Sequence, residues 1–403
     1  MKTPRVFGFR RQLSLVLLLF MVSGVAQADE DATARAGEIL DATGVQGGLV
    51  VHLGCGDGTL TAALHASDSF LVHGLDRDAA NVAQARAYVR SAGLYGPVSV
   101  EHFTGERLTY TDNLVRLIVT EDLDGVPMEE VMRVLCPNGT ALIRQGDIWA
   151  MKVKPWPDAI DEWTHALHGP DNNAVAHDTV VGPPRHLQWV SDPQWARSHD
   201  HLSSTSAVVS SAGRVFAIMD EGSAAAVALA PNWHLIARDA FSGVLLWKRK
   251  VEPWEGHLRG FRSGPAAIQR RLVAVGDTVY VTLGYGKKVT ALDAATGETK
   301  RTYKETQDAL EIVCADGVLY VIAGPAVGHG AEVLAHDQGR YATYLSPGGK
   351  RLLAIEAGTG KLLWEKADAD TSELMPMALA VHDGRLFFEN TQELICLDAG
   401  TGD

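Results

Sequence analysis

A glycine-rich loop is the first feature of the sequence whose spacing could do chemistry. Gly54, Gly56 and Gly58 follow the apolar run Gly48–Leu53 and precede a helical pattern. Glycines at such a turn let the backbone come close to a ligand, and the N–H groups that open the helix point toward it. Asp76 ends the next apolar run, where a carboxylate can accept both hydroxyl groups of a ribose. These four residues predict a nucleoside-binding loop.

A pair of acidic residues, Glu121 and Asp122, follows another apolar run that ends at Thr120. A carboxylate in the loop after a buried strand can act as a general base. The alternative is that the pair simply forms the solvated end of the loop. We keep Glu121 and Asp122 as candidate catalytic residues with both readings open.

Histidine and asparagine side chains are concentrated in one later stretch, which contains His165, His168, Asn172, Asn173 and His177, with Ser198–His201 further on. Ligand spacing alone does not define a metal site, so we assign none and expect these histidines to form hydrogen bonds within loops. Asn172 and Asn173 are candidate calcium ligands by residue type only. The four cysteines lie too far apart for a CxxC site, and we expect isolated core residues at Cys55, Cys136, Cys314 and Cys396.

The elements that must position the glycine loop alternate regularly between about residues 33 and 150. Apolar runs and helical patterns in alternation predict a parallel sheet covered on both faces, a doubly wound α/β domain. The predicted strands are Gly48–Leu53, Phe70–Leu75, Val98–Phe103, Leu114–Val119 and Thr140–Arg144. The predicted helices are Thr33–Ala42, Thr59–His65, Arg77–Ala92 and Met128–Leu135.

The rest of the chain has a different pattern, in which short β-type runs alternate with Gly, Asp and Asn turns. One motif, A-x-D/E-x-x-T/S-G-x-x-x-W, occurs four times with small departures, at Ala237–Trp247, Ala291–Arg301, Ala354–Trp364 and Cys396–Asp403. A repeat of this period predicts the blades of a β-propeller. We therefore expect a linker and the opening of the propeller at 151–185 and the propeller at 186–403. Because four blades do not close a ring, we expect an open propeller or part of a longer polypeptide.

The glycine loop resembles motif I of class I S-adenosylmethionine (SAM) methyltransferases. Asp76 and the segment Met128–Ile143 resemble the ribose-binding acid and the fifth-strand region of the same family, in the same order. The resemblance implies that Gly54, Gly56, Gly58 and Asp76 hold SAM. His52 departs from the family, which usually has an acid at that position.

The fourfold motif resembles the repeat of pyrroloquinoline quinone (PQQ) propellers, which include quinoprotein dehydrogenases and the outer-membrane assembly factor B type. That resemblance implies that Asp and Thr/Ser close a tight turn and that the Trp packs on the neighbouring blade. Trp247 and Trp364 retain this docking residue, whereas Arg301 replaces it. Some members bind PQQ with calcium, so PQQ with Ca²⁺ is a second cofactor hypothesis.

The composition of the chain excludes some classes of protein and makes nucleic acid an unfavoured partner. The chain has 403 residues, 46 % of them hydrophobic, and a net charge of −13. This is an ordinary globular composition, which argues against disorder and against a protein with several membrane spans. An acidic chain does not favour nucleic acid as the partner.

The N-terminus predicts export. Lys2, Arg5, Arg10 and Arg11 precede an apolar run and then Ala26-Gln27-Ala28, which is typical of a signal peptide at 1–28. The mature chain would be periplasmic or extracellular, with no membrane span apart from this segment. An N-terminal anchor that is not cleaved is the alternative.

These observations leave three functional hypotheses. The first is an exported protein whose SAM-binding, methyltransferase-like domain is joined to a propeller that serves as a binding scaffold. The second is a quinoprotein oxidoreductase, and the third is a scaffold with a degenerate methyltransferase fold. Since SAM is made in the cytosol, export argues for the third, and enzymatic activity stays open. In each case the propeller face is expected to bind a protein or polymer.

Overall fold

The computed structural model describes residues 29–146, 148–183, 186–192, 204–225, 229–252, 268–284, 286–324, 349–375 and 377–403. The chain divides into two compact units between Pro155 and Trp156. The predicted signal peptide at 1–28 and the group Ser198–His201 lie outside the described residues.

The first unit alternates helices and strands as the sequence predicts. Its helices are α1 (residues 29–43), α2 (Thr59–Ala63), α3 (Ala79–Ser91) and α4 (Met128–Val134). Its strands are β1 (Gly48–Leu53), β2 (Phe70–Asp76), β3 (Val98–His102), β4 (Val115–Thr120), β5 (Leu135–Gln145) and β6 (Ile148–Val153). Asp78 begins α3, where its side chain accepts a hydrogen bond from the N–H of Ala80, as an N-cap residue does.

The six strands form one sheet in the order β3-β2-β1-β4-β5-β6. Strands β1 to β5 are parallel, and β6 returns antiparallel to β5. Leu53 at the end of β1 pairs with Leu75 of β2 and with Thr120 of β4. The glycine loop, Asp76 and Glu121 therefore leave the sheet at the same edge, where open α/β sheets bind their ligands.

Neighbouring residues of β1 enter two different cores, because side chains alternate between the faces of a strand. Val50 packs with Val82 and Val89 of α3 on one face. Val51 packs with Val131 of α4 on the other face. Both faces of the sheet are covered, which confirms the doubly wound α/β fold predicted from the sequence.

The second unit consists, in its described residues, of four antiparallel sheets that follow one another along the chain. The first contains β7 (Thr205–Ser211), β8 (Arg214–Asp220), β9 (Trp233–Asp239) and β10 (Leu245–Lys250). The second contains β11 (Leu272–Val275), β12 (Thr278–Thr282), β13 (Val289–Asp293) and β14 (Thr299–Thr302). The third contains β15 (Ala309–Ala315), β16 (Val318–Ala323), β17 (Arg351–Glu356) and β18 (Leu362–Lys366). The fourth contains β19 (Ala380–His382), β20 (Arg385–Glu389) and β21 (Leu394–Asp398), preceded by the short helix α5 (Ala369–Ser372).

Each copy of the repeated motif forms the turn after the third strand of a sheet. In the second sheet, Oδ1 of Asp293 accepts hydrogen bonds from the N–H groups of Ala295 and Thr296, both at 3.0 Å. Gly297 then takes a left-handed conformation, with φ of +73°. This is the Asp-Thr/Ser-Gly turn that the PQQ-repeat resemblance implies.

A tryptophan from the preceding sheet covers this turn. Trp247 of β10 donates from Nε1 to the carbonyl oxygen of Ala294 at 3.0 Å. A Cβ atom added to Gly297 would lie 2.6 Å from the Trp247 ring, so the ring rests directly on the glycine. The contact between one sheet and the next confirms the docking role predicted for this residue.

The same contact recurs at the other three turns. Trp364 donates to Ala399 and covers Gly402, whereas Arg301 takes the tryptophan position and donates to the carbonyl oxygen of Gly358. Trp189 covers Gly243 of the first turn, although it lies outside the repeated motif. Sequence reasoning did not reveal this docking role of Trp189.

One expectation about the cysteines is wrong. Cys55, Cys136 and Cys314 are buried, but Cys396 is exposed. It lies on β21, where alternation turns every second side chain outward, and it contacts Arg385 of the neighbouring strand.

Among the described residues, no helix combines the length and the apolar character that crossing a bilayer requires.

Candidate functional site

Two glycines of the loop after β1 leave open space above the backbone. Gly54 and Gly56 have φ of +76° and +54°, a conformation that costs other residues about 1–2 kcal/mol. A Cβ atom added to either glycine would meet no other atom within 4 Å. The left-handed turns therefore expose main chain that a ligand can approach closely.

Gly58 has a different reason to be glycine. Its φ is +88°, and an added Cβ would lie only 2.7 Å from Cβ of Ala85. Gly58 therefore lets α2 approach α3. The geometry supports a packing role for this residue, and its predicted part in cofactor binding stays a prediction.

Asp76 connects the end of β2 to the glycine loop. Its Oδ2 accepts a hydrogen bond from the N–H of Gly56 at 2.9 Å. Its Oδ1 accepts from the N–H of Asp78 at 2.8 Å and from Nδ2 of Asn81 at 3.2 Å. A carboxylate has about four acceptor positions, so these three bonds leave roughly one for a ligand. The arrangement fits a ribose hydroxyl at Oδ2, beside the open loop.

The residue at the family's acidic position, His52, is buried in this chain. Its Nδ1 lies 2.8 Å from Oγ1 of Thr61 on α2, in a buried hydrogen bond. Burial, together with the nearby charge of Arg35, lowers the pKa of His52 to about 4. An uncharged imidazole that holds α2 thus replaces the usual carboxylate.

Arg77, which sequence reasoning did not single out, links two loops at the same edge of the sheet. Its guanidinium donates to the carbonyl oxygens of Thr104 and Gly105, which follow β3, and of Asp124, which follows β4. The same group lies over the ring of Phe103, 5.4 Å from its centre. Its position directly after Asp76, where β2 ends, was the available signal.

The two candidate bases are already engaged in local interactions. Glu121 is hydrogen-bonded to Arg35 of α1 and lies 3.4 Å from Nη1 of Arg144. The hydrogen bond from Arg35 lowers the pKa of Glu121, although partial burial opposes the shift. Oδ1 of Asp122 accepts from the N–H of Asp124 at 2.9 Å. A carboxylate with a lowered pKa is a weaker base, so the catalytic role of either residue stays a prediction.

A cleft of about 550 Å³ lies between α1 and the strands β5 and β6. Its walls combine charged side chains with apolar and aromatic ones: Asp31, Arg35, Glu38, Ile39, Leu142, Arg144 and Trp149. Small-molecule pockets have about this volume. Because Arg35 and Arg144 both contact Glu121, the cleft adjoins the candidate base.

The histidine-rich segment of the second unit connects all four sheets. The first strands of these sheets, β7, β11, β15 and β19, lie next to one another in succession. Each donates one backbone N–H to this segment: Ser210 to the oxygen of Trp163, Ala274 to that of Thr164, Cys314 to Nε2 of His165, and Val381 to the oxygen of Pro170. The segment thus accepts a hydrogen bond from one backbone N–H group on the first strand of each sheet.

The polar atoms of His165 and Asn172 form hydrogen bonds with other residues of the second unit. The Nδ1 atom of His165 contacts Thr164, and burial lowers the pKa of its ring to about 4. Asn172 accepts from Arg270 at 2.6 Å and donates to the oxygen of Met377 at 3.2 Å. Asn173 is exposed. An amide oxygen bonded to a guanidinium is not free for calcium, so Asn172 does not fit a PQQ–calcium site.

His168 and His177 lie beside Asp161. His168 is buried, with Nε2 2.6 Å from Oδ2 of Asp161. The N–H of His177 donates to the same oxygen at 2.5 Å. Burial alone would raise the pKa of Asp161, but the backbone donors His177 and Glu162, with His168, lower it overall.

The chain therefore consists of a doubly wound α/β unit followed by a unit of antiparallel sheets. Residues 50–139 match the family model of a methyltransferase domain. Residues 231–403 match the family model described as outer membrane protein assembly factor BamB. Both resemblances read from the sequence are thereby confirmed. Among curated proteins, no relative matches the chain.

Several of the solved structures that are similar to the chain are described as methyltransferases. A putative S-adenosyl-L-methionine-dependent methyltransferase from Methanococcus maripaludis is 19 % identical, with 36 % of this chain covering 67 % of that one at a TM-score of 0.27. A geranyl diphosphate methyltransferase in complex with SAM is 23 % identical. The match covers 28 % of this chain and 48 % of that one, with a TM-score of 0.25. A geranyl diphosphate C-methyltransferase from Streptomyces coelicolor is 20 % identical. The match covers 27 % of this chain and 44 % of that one, with a TM-score of 0.25. The chain thus spans about half the length of the latter two.

Proposed function

We propose that the α/β unit binds SAM or a closely related adenosyl compound, and that the unit of docked sheets is a scaffold that binds a protein or polymer. The observation that carries the first part is the loop at Gly54 and Gly56, whose backbone is open and left-handed and whose Gly56 N–H is held by Asp76. The match of residues 50–139 to a methyltransferase domain supports it.

Each residue of the proposed SAM site has a different part in binding. Gly54 and Gly56 offer main chain at close range, and Asp76 offers its remaining acceptor position to a ribose hydroxyl. Arg77 fixes the loops after β3 and β4, which border the site. When bound, SAM supplies an electrophilic methyl group. His52, uncharged and buried, holds α2 and with it the end of the glycine loop.

Calorimetric titration of the full chain with SAM and with S-adenosylhomocysteine tests the proposal. We expect saturable binding of both, because both carry the adenosyl group. Asp76→Asn replaces one acceptor oxygen by a donor amide and should weaken binding at least about tenfold, the loss of roughly one charge-assisted hydrogen bond.

The matched control is Asp41→Asn, which removes the same charge from the exposed surface of α1 and should bind as the parent does. No heat at millimolar ligand, with the fold intact by circular dichroism, would overturn the proposal.

Methyl transfer is a second candidate function, favoured by the cleft beside Glu121. The cleft is large enough for a small acceptor and is lined by Arg35 of α1 and by Arg144 of β5. Release of S-adenosylhomocysteine from SAM in the presence of small-molecule extracts would support it, and its loss in Arg144→Ala would place the acceptor in this cleft. Identical release from parent and variant would contradict that placement.

A non-catalytic scaffold is the remaining candidate, and the hydrogen bonds of Asp76 favour it. Three of its acceptor positions are filled by the protein's own groups, so the loop is held without any ligand. The proposed export through residues 1–28 favours it too, because SAM is made in the cytosol. Sequencing the N-terminus of mature protein tests export: a start after Ala28 is expected, and retention of Met1 would contradict cleavage.

A further inference from the structure

We infer that Asp161, His168 and His177 form a binding site for a divalent transition-metal ion in the second unit. One ligand-type atom from each residue lies within 4.8 Å of the other two. The set combines two imidazoles with one carboxylate. Imidazole ligands suit zinc, cobalt, nickel and copper, whereas calcium prefers oxygen ligands. The inference is independent of SAM binding, because no residue of the glycine loop contributes to it.

The three side chains converge from different directions. His168 Nε2 and Asp161 Oδ2 are 2.6 Å apart. The rings of His168 and His177 have centres 5.0 Å apart and planes inclined at 75°. Three groups that meet at an angle, rather than stacking flat, can surround a common ion. Coordination would replace the direct contact between His168 and Asp161 by two bonds to the metal.

The backbone at His168 is held in an unfavourable conformation by its surroundings. Its φ is +68°, a left-handed value that only a few per cent of residues other than glycine adopt. The carbonyl oxygen of His168 accepts from the N–H of His165 at 3.1 Å and from Oγ1 of Thr164 at 3.2 Å. His165 is in turn bound to Cys314 of β15. Strain of this kind concentrates at sites where a side chain must take a fixed direction.

Neighbouring groups also orient the ligands. Oδ1 of Asp161 accepts from the N–H of Glu162 at 2.8 Å, which leaves Oδ2 facing the histidines. The ring of Trp163 packs edge-on against His168, with centres 5.4 Å apart. In metal sites the carboxylate ligands are commonly held by such hydrogen bonds, as Asp161 is here by the N–H of Glu162.

Exposure differs among the three ligands. The side chain of His168 is 9 % exposed and that of Asp161 is 24 % exposed, while His177 lies at the surface. The site therefore opens toward solvent on the side of His177. Three protein ligands with an open position are the pattern of metal sites that keep a bound water, rather than of closed structural sites.

Titration of the tag-free full chain with Co²⁺, followed by competition with Zn²⁺, tests the inference. We expect one equivalent of Co²⁺ to produce visible absorption bands that Zn²⁺ abolishes. His177→Ala removes the exposed ligand with little cost to folding and should weaken binding at least about tenfold. His382→Ala is the matched control, because His382 is also an exposed histidine beside a carboxylate, 3.4 Å from Asp383.

Two results would overturn the inference. Absence of Co²⁺ binding at millimolar metal would show that Asp161 and His168 form only a hydrogen bond that closes the loop. Equal Co²⁺ affinity in His177→Ala and in the parent chain would place any bound metal elsewhere. A folded His177→Ala variant that still binds SAM, but not Co²⁺, would separate this site from the proposed function of the α/β unit.

Discussion

The two units use left-handed glycines in opposite ways. Gly54 and Gly56 in the α/β unit have open space where a side chain would begin. Gly243, Gly297 and Gly402 in the second unit have similar φ values, yet a tryptophan ring lies within 2.8 Å of where each Cβ would be. The backbone conformation is the same, and the neighbours differ.

This difference separates a ligand loop from a packing contact. A glycine covered by a side chain of the same chain contributes to stability, so its replacement should affect folding first. A glycine that faces open space contributes little packing, and its replacement should affect whatever approaches from outside. Variants of the covered glycines and of the side chains that cover them should therefore differ from variants of the open glycines.

The largest effect is expected from Trp247→Ala. Trp247 is 8 % exposed and contacts both Gly297 and the carbonyl oxygen of Ala294. Removing the ring leaves a cavity between two sheets and an acceptor without its donor, which should cost about 3–5 kcal/mol of unfolding free energy. Urea denaturation followed by circular dichroism measures the cost.

A pair of glycine variants checks that the cost comes from the covering ring. Gly297→Ala places a Cβ against Trp247, whereas Gly276→Ala meets no atom within 4 Å, at a φ of +56°. The first should destabilise clearly more than the second, which carries only the backbone cost of about 1–2 kcal/mol. Equal losses would show that the tryptophan does not press on the glycine.

A pH-dependent effect is expected at Glu311 of β15. Its Oε1 is 3.7 Å from Nη1 of Arg270 and has no hydrogen-bond partner. Burial raises the pKa of Glu311 to about 7 from its ordinary 4.5, and the charge of Arg270 only partly offsets this. Below pH 4.5 the group is protonated in both states, and the folded state keeps the proton as the pH rises toward 7. Its contribution to stability is therefore lost across that window, by on the order of 3 kcal/mol.

Glu311→Gln isolates this contribution. The difference in unfolding free energy, parent minus variant, should fall between about pH 5 and about pH 8, because glutamine does not titrate. Parallel urea titrations at both pH values measure it. A difference that stays constant with pH would contradict the raised pKa.

The smallest effect is expected from Arg301→Ala. Arg301 stands where two of the other copies have Trp247 and Trp364, and it donates one hydrogen bond, 3.1 Å long, to Gly358 from an exposed position. Its loss should cost about 1 kcal/mol, well below Trp247→Ala. Urea denaturation of the two variants side by side makes the comparison, and equal costs would mean that the arginine stem packs as the tryptophan does.

The sequence predicted the elements best where burial repeats regularly. The bounds of β1 agree at Gly48–Leu53, because a strand buried on both faces is a continuous apolar run. Strand β5 begins at Leu135 rather than at Thr140, since Cys136 and Pro137 belong to a segment that pairs with β4 through long-range contacts. The hydrophobic pattern of neighbouring residues does not show which distant strand a segment pairs with.

The site was predictable only in part for the same reason. Gly54, Gly56 and Asp76 are marked by their positions after strands, and the structure brings them together. The engagement of Glu121 by Arg35 joins residues 86 apart in the chain, and the contact between Trp189 and Gly243 joins loops without periodicity. These interactions depend on tertiary neighbours, which spacing does not reveal.

The most direct test of the central claim is SAM affinity in Gly54→Ala compared with Gly93→Ala. Both glycines have open space and nearly equal φ, +76° and +72°, so both variants should lose a similar stability of about 1–2 kcal/mol. Gly93 follows α3, away from the loop. We predict that Gly54→Ala weakens SAM binding at least about tenfold, roughly 1.4 kcal/mol, while Gly93→Ala binds as the parent does. Equal affinity in the two variants would contradict a ligand site at the glycine loop.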